Sequence, residues 1–265
     1  MNKEQKYRAM STNFKKFLME SYALDSEKIK FIDSMWEKFS KYCKENSEKI
    51  AQKILQKAEY KFKIEDLKIN ITIVNYGIAL GGYNRKTKTL TITLYRAFEN
   101  IIKNIKYFED LTNNDKNVIY KRINSIFGNF ASGDSKWHYK AAQFYNEVQT
   151  VFEHEIAHYY DSITYGQGYE KHTDVLSKIQ HKIKNKEKKY ELYYNMPHEI
   201  DAYFMSSLKQ LLDTEGTKYD SFGDFFSKFW TYFNPYENLT PQNKKRVIKR
   251  LYLYYNELKI NDDDM

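Results

Sequence analysis

The run Val151-Phe152-Glu153-His154-Glu155-Ile156-Ala157-His158-Tyr159-Tyr160 constrains this chain more than any other segment. It holds neither proline nor glycine, and Phe152, Ile156, Ala157 and Tyr159 carry no charge. The pattern predicts a helix from Ala141 to Ile163 with one side deeply buried. Residues four apart on an α-helix project from one face, one turn above the other. His154 and His158 can therefore offer two imidazole nitrogens to a single ion, as zinc requires. Two core histidines that bond each other or a tyrosine are the plainer alternative. Glu155, one position on, points away from such an ion but reaches a water in its open position. A general base belongs there: it takes a proton as water attacks a carbonyl and passes it to the leaving amine. The chemistry implied is zinc-assisted hydrolysis of an amide, with one zinc per chain.

The rest of the chain supplies an α+β frame for that helix. Ile29, Ile32, Trp36, Phe39, Cys43, Ile50 and Ile54 recur at helical steps, with Asp25 and Ser26 as candidate caps. Leu67 to Val74 and Leu90 to Leu94 alternate apolar and polar residues and predict strands. Ile78 to Tyr83 is a third candidate strand, and Gly81-Gly82-Tyr83-Asn84 gives a turn signal between them. Thr112 to Asp115 fits a capping box ahead of Val118, Ile119, Ile123 and Phe127. The polar span from Tyr165 to Glu170 reads as a glycine-containing loop leading into a lysine-rich helix. Pro197 suits the first position of another helix, with Ile200, Phe204, Leu208 and Leu211 inward. Thr240-Pro241 opens a last one, with Val247, Leu251 and Tyr254 inward. The expectation is a mostly helical chain with a small central antiparallel sheet before the HEIAH helix. It divides into an N-terminal helical segment (1–60), a core (61–215) and a C-terminal helical segment (216–265) of one compact domain.

Composition narrows the function classes. A net charge of +8 invites nucleic acid as a partner, but most lysines lie beside glutamates at helical surface spacing. The densest run, Lys182 to Lys189, reads as solvated surface, and no zinc-finger, helix-turn-helix or RNA-recognition pattern is present. No specific nucleic-acid partner is expected. Cys43 is the only cysteine, which excludes an intramolecular disulfide and a thiolate zinc cluster. The 25 tyrosines can bury rings and leave hydroxyls at wet edges, a core and rim role. Without an apolar leader or spanning stretch, a cytoplasmic protein acting on a protein or peptide substrate, with no membrane partner, is the expectation.

The ten-residue run resembles the long signature of the zincin metallopeptidases at every position. Metzincins carry glycine and histidine where this chain has Asp161 and Thr164. Gluzincins take a glutamate from a following helix, and Met196-Pro197-His198-Glu199-Ile200-Asp201-Ala202 is similar to that element. The resemblance thus implies Glu199 as third ligand and Ala202 as the small residue that lets the metal helix approach. Glu-x-x-Ala, followed shortly by Phe204, is similar to the minimal gluzincins, including the ImmA/IrrE-type peptidases. Their architecture implies a sheet-edge strand that pairs with extended substrate, here Leu90 to Leu94. The likeness covers roughly Leu67 to Leu212. Thermolysin-like enzymes have an aspartate four residues after the ligand glutamate, where this chain has Tyr203, and forty residues separate His158 from Glu199.

Further residues carry two readings each. Asp161 either orients His158 through a hydrogen bond or is an ordinary exposed helix charge, and Asp201 has the same ambiguity. His172 could stabilise an oxyanion or serve as a substitute ligand, or lie on the surface. His198 could compete with its neighbour as ligand, though adjacent helical residues project about 100° apart. A different class is a zincin-scaffold interaction or virion-type structural protein with little turnover. Glu155 argues against it, since a purely structural zinc has no use for a base beside an open position.

Overall fold

A computed structural model describes residues 26–74, 80–103, 108–128 and 135–263. Side chains at 108, 135–138, 167–177, 179–181 and 260 onward lie outside that description, and Asp25 lies outside it altogether. The chain forms two compact units: residues 32–170, and residues 171–263 together with 26–31.

In the first unit, helix α1 (26–45) stops at Asn46 and α2 (Ser47–Lys57) follows. The stripe read from the sequence buries Ile32, Trp36, Phe39, Cys43, Ile50 and Ile54. Burial also pushes the Cys43 thiol well up, so it is an inert core group rather than a reactive thiolate. α2 ends where Ala58 turns left-handed at φ 58° and donates its N–H to the Ile54 carbonyl. That single residue starts a strand absent from the sequence reading, β1 (Glu59–Ile64), which pairs with β2 (Leu67–Thr72) in an antiparallel hairpin. β3 (Gly81–Asn84) and β4 (Thr89–Thr93) make a second hairpin around the turn 85–88.

The sheet order is β1-β2-β4-β3, and β2 pairs with β4 in parallel. The sheet is therefore mixed, not antiparallel as expected. β4 returns between β3 and β2, which aligns it with β2. The candidate strand Ile78 to Tyr83 is a strand from Gly81 on, with 78 and 79 outside the described residues, so Gly81-Gly82-Tyr83-Asn84 is strand and not turn.

Helix α3 (Tyr95–Ile102), a short 3₁₀ turn (Phe108–Asp110) and α4 (Asn113–Phe127) follow. The Thr112 hydroxyl accepts from the Asp115 N–H while Asp115 accepts from the Thr112 N–H, the reciprocal cap that the sequence signals. α5 (Ser135–Lys182) breaks at Gly166, whose φ of 55° and ψ of −138° are not helical. The expected Tyr165–Glu170 loop is thus a one-residue break with helix resumed beyond it. Within this unit, Phe39 stacks on Phe152 of α5 at 4.4 Å between ring centroids, and Trp36 tilts against Phe152 at 5.5 Å.

The second unit contains α6 (Lys186–Tyr194), α7 (Pro197–Glu215), α8 (Phe222–Tyr232), a 3₁₀ turn (Asn234–Asn238) and α9 (Pro241–Asp263). Pro197 occupies the first turn of α7, and Phe204, Leu208 and Leu211 are buried while Ile200 is half-buried. Phe204 packs on Phe229 of α8 at 5.4 Å, and Val247, Leu251 and Tyr254 of α9 are buried as expected. Among the described residues, no helix is long and apolar enough to cross a membrane.

Candidate metal centre

Helix α5 presents His154 and His158 one turn apart, both buried, with Phe152, Ile156 and Ala157 fully enclosed. The Nε2 atoms of the two histidines lie 3.3 Å apart, with ring planes at 86°. This separation is within hydrogen-bonding reach, as the plainer reading of the pair requires. Two nitrogens each about 2.0–2.1 Å from a tetrahedrally coordinated ion stand roughly 3.3–3.4 Å apart. The observed spacing is compatible with both arrangements.

Glu199, in the first turn of α7, is buried as well. His154, His158 and Glu199 are all buried, and residues of these types could hold a metal ion. Two neutral imidazoles and one carboxylate suit a divalent cation that accepts nitrogen and oxygen donors, and they leave a fourth position for water or substrate.

Glu155 is 9% exposed, enough to meet a water while largely enclosed. Its surroundings come from the sheet. A side chain at Gly81 would place its Cβ 2.3 Å from Val151 Cγ1 and 3.7 Å from Glu155 Cγ, so β3 lies directly against the Glu155 face of α5. Tyr83, two residues on, meets Tyr159 edge to face and its hydroxyl is 3.1 Å from Ser162 Oγ. Glycine at position 81 is thus needed for close approach. The edge strands of the sheet are β1 and β3; β4, which spans most of Leu90 to Leu94, is interior and paired on both sides. Leu90–Leu94 is accordingly not at the sheet edge as expected, and the edge that meets α5 belongs to Gly81–Asn84. Beside it, a small pocket of about 20 Å³ is lined by Leu80, Ile92, Leu94, Phe144, Val148 and Val151, among others. Val151, Val148 and Phe144 precede Glu155 by four, seven and eleven positions, on the same side of α5.

The remaining candidates fall in different places. Asp161 is buried, which removes the exposed-charge reading. Asp201 forms ion pairs with Lys28 and with Arg250. Burial opposes its ionisation, but the charges of Lys28 and Arg250 outweigh that and hold its carboxyl well below the usual carboxylate range. His198 is buried with its Nε2 3.4 Å from Glu199 Oε1, beside the carboxylate it was weighed against as ligand. His172 lies outside the described side chains.

One residue with a positional role escaped the sequence reading. Asn195, just before α7, donates to the carbonyls of Glu191 and Asn238 at 2.7 Å each. Its side-chain oxygen accepts from the Thr240 N–H at 2.8 Å and from Asn243 Nδ2 at 2.9 Å. The start of the Glu199 helix is thereby tied to the start of α9. Only the bond to Glu191 is local; the other three span more than forty positions, which no sequence pattern could signal.

No family model, curated protein or solved structure matches this chain.

Proposed function

We propose that this chain is a zinc-dependent metallopeptidase of gluzincin type. The observation that carries the reading is the buried His154–His158 pair, with its two Nε2 atoms 3.3 Å apart, together with a buried Glu199. His154, His158 and Glu199 would hold the metal. Bound zinc supplies Lewis acidity and lets water ionise near neutral pH. Glu155 takes the proton from the attacking water and returns it to the departing amine, the exchange expected of a carboxylate beside the open position. The free edge of β3 pairs with an extended protein or peptide substrate, and backbone pairing of this kind is tolerant of sequence.

Hydrolysis of casein by zinc-loaded protein, with and without a chelator, tests this against the Glu155→Gln variant. The variant is expected to keep its zinc and lose roughly a hundredfold to ten-thousandfold in turnover, the range for a lost general base. Equal turnover by variant and wild type would refute the assignment of Glu155. Stoichiometric zinc with no cleavage by either protein would favour a zincin-scaffold interaction protein instead.

A further inference from the structure

Helix α7 carries Glu199 in its first turn and Asp201 two positions later. Two helical residues so spaced differ by about 200° around the axis, so Asp201 backs the turn whose front carries the ligand carboxylate. Two cations from distant parts of the chain grip it there. The Lys28 ammonium of α1 donates to Asp201 Oδ2, and Arg250 of α9 donates to Oδ1 at 2.6 Å. The Lys28 side chain is only 5% exposed, so this cation is committed to the pair. The Arg250 guanidinium also lies 4.2 Å from the centroid of Phe204, one turn further along α7. It therefore holds the back of this helix at two successive turns.

Rotation is the freedom such a grip removes. A side-chain atom about 6 Å from a helix axis moves by about 1 Å for a 10° turn of the helix. Metal–ligand distances tolerate only about 0.2 Å. Asn195 restrains the end of α7 nearest the ligand, but its bonds run to Glu191, Asn238, Thr240 and Asn243, none of them on α7, and do not fix rotation further along.

We infer that the Lys28–Asp201–Arg250 cluster is a positioning device for Glu199, setting metal affinity by fixing the rotation of α7. The inference rests on the metal-centre reading above. Asp201 and Arg250 are positioning residues in this account, and neither touches the ion.

The test measures zinc affinity by competition with a chromophoric chelator, and the visible absorption of the cobalt(II)-loaded protein. Asp201→Asn and Arg250→Gln are compared with Arg250→Lys and with Val247→Ala, a buried change on α9 that destabilises the same unit without touching the cluster. Asp201→Asn and Arg250→Gln are expected to keep their helical circular dichroism, weaken zinc about tenfold or more, and change the cobalt band intensities. Arg250→Lys is expected to recover part of that loss, and Val247→Ala to lower Tm with zinc affinity held within about twofold. Wild-type zinc affinity in both Asp201→Asn and Arg250→Gln would overturn the inference, as would an equal loss in Val247→Ala. Where Asp201→Asn does not fold, Arg250→Gln decides, because it leaves the Lys28 pair intact. A wild type that takes up neither zinc nor cobalt would overturn the metal-centre reading itself, a result distinct from metal bound equally by all variants.

Discussion

Replacing Gly81 with alanine puts a methyl group where β3 meets the metal helix. The new Cβ would lie 2.3 Å from Val151 Cγ1 and 3.1 Å from the Thr91 carbonyl oxygen. Carbon atoms in contact sit about 3.5–4.0 Å apart, so the first approach must open by more than about 1 Å. Val151 is β-branched and stiff at χ1, and the carbonyl belongs to the β4 backbone, so neither neighbour yields freely. Overpacking of this kind costs about 1–3 kcal/mol. Val151→Ala alone removes two methyl groups from a half-buried side chain, about 1 kcal/mol. It also removes the atom that Gly81→Ala strikes. The double variant should therefore be more stable than the sum of the single changes predicts, by about 1–2 kcal/mol, with the Thr91 contact as the residual strain. Urea unfolding of all four proteins, followed by circular dichroism at constant m, gives the coupling directly. Effects that add within about 0.5 kcal/mol would mean that β3 does not bear on Val151, and the placement of the sheet edge against α5 would fall.

Two further outcomes follow from the same structure. Thr112→Ala removes a reciprocal cap and should lower stability by about 1 kcal/mol, seen as a fall in Tm; an unchanged Tm would show that the cap is dispensable. Asp201 has a folded pKa below its unfolded value of about 3.9, so its stabilisation is complete above that pH and is lost as pH falls through the folded value. Wild-type urea midpoints should thus fall more steeply below about pH 4 than those of Asp201→Asn, and parallel curves would contradict the cluster's electrostatic role.

What could be read in the sequence was what neighbours in the chain decide. The HEIAH helix, the Thr112 cap, Pro197 at the start of α7 and the inward face of α9 all depend on residues within a few turns. β1 was hidden because Glu59-Tyr60-Lys61-Phe62 continues the lysine-rich surface of α2 without proline or glycine, and the break is an alanine with positive φ. Gly81-Gly82 carried a strand signal and a turn signal together; the strand holds, and Gly81 is glycine because Val151 leaves no room for a Cβ. Gly166 is the converse, a single break where several polar residues suggested a loop. The parallel β2–β4 register and the grip of Lys28 and Arg250 on Asp201 are tertiary. The last joins residues 173 and 49 positions apart, beyond any local pattern. Glu199 became a candidate only through family likeness, since nothing in its own helix marks it as a ligand.

Zinc content, measured by elemental analysis after loading and dialysis, tests the central claim most directly when wild type is set beside Glu199→Ala. The account predicts one zinc per wild-type chain, removed by chelator, and a much weakened or lost metal in the variant. Full zinc retained by Glu199→Ala would show that another residue supplies the third ligand. A wild type that cannot be loaded at all would leave His154 and His158 as a core histidine pair and contradict the account.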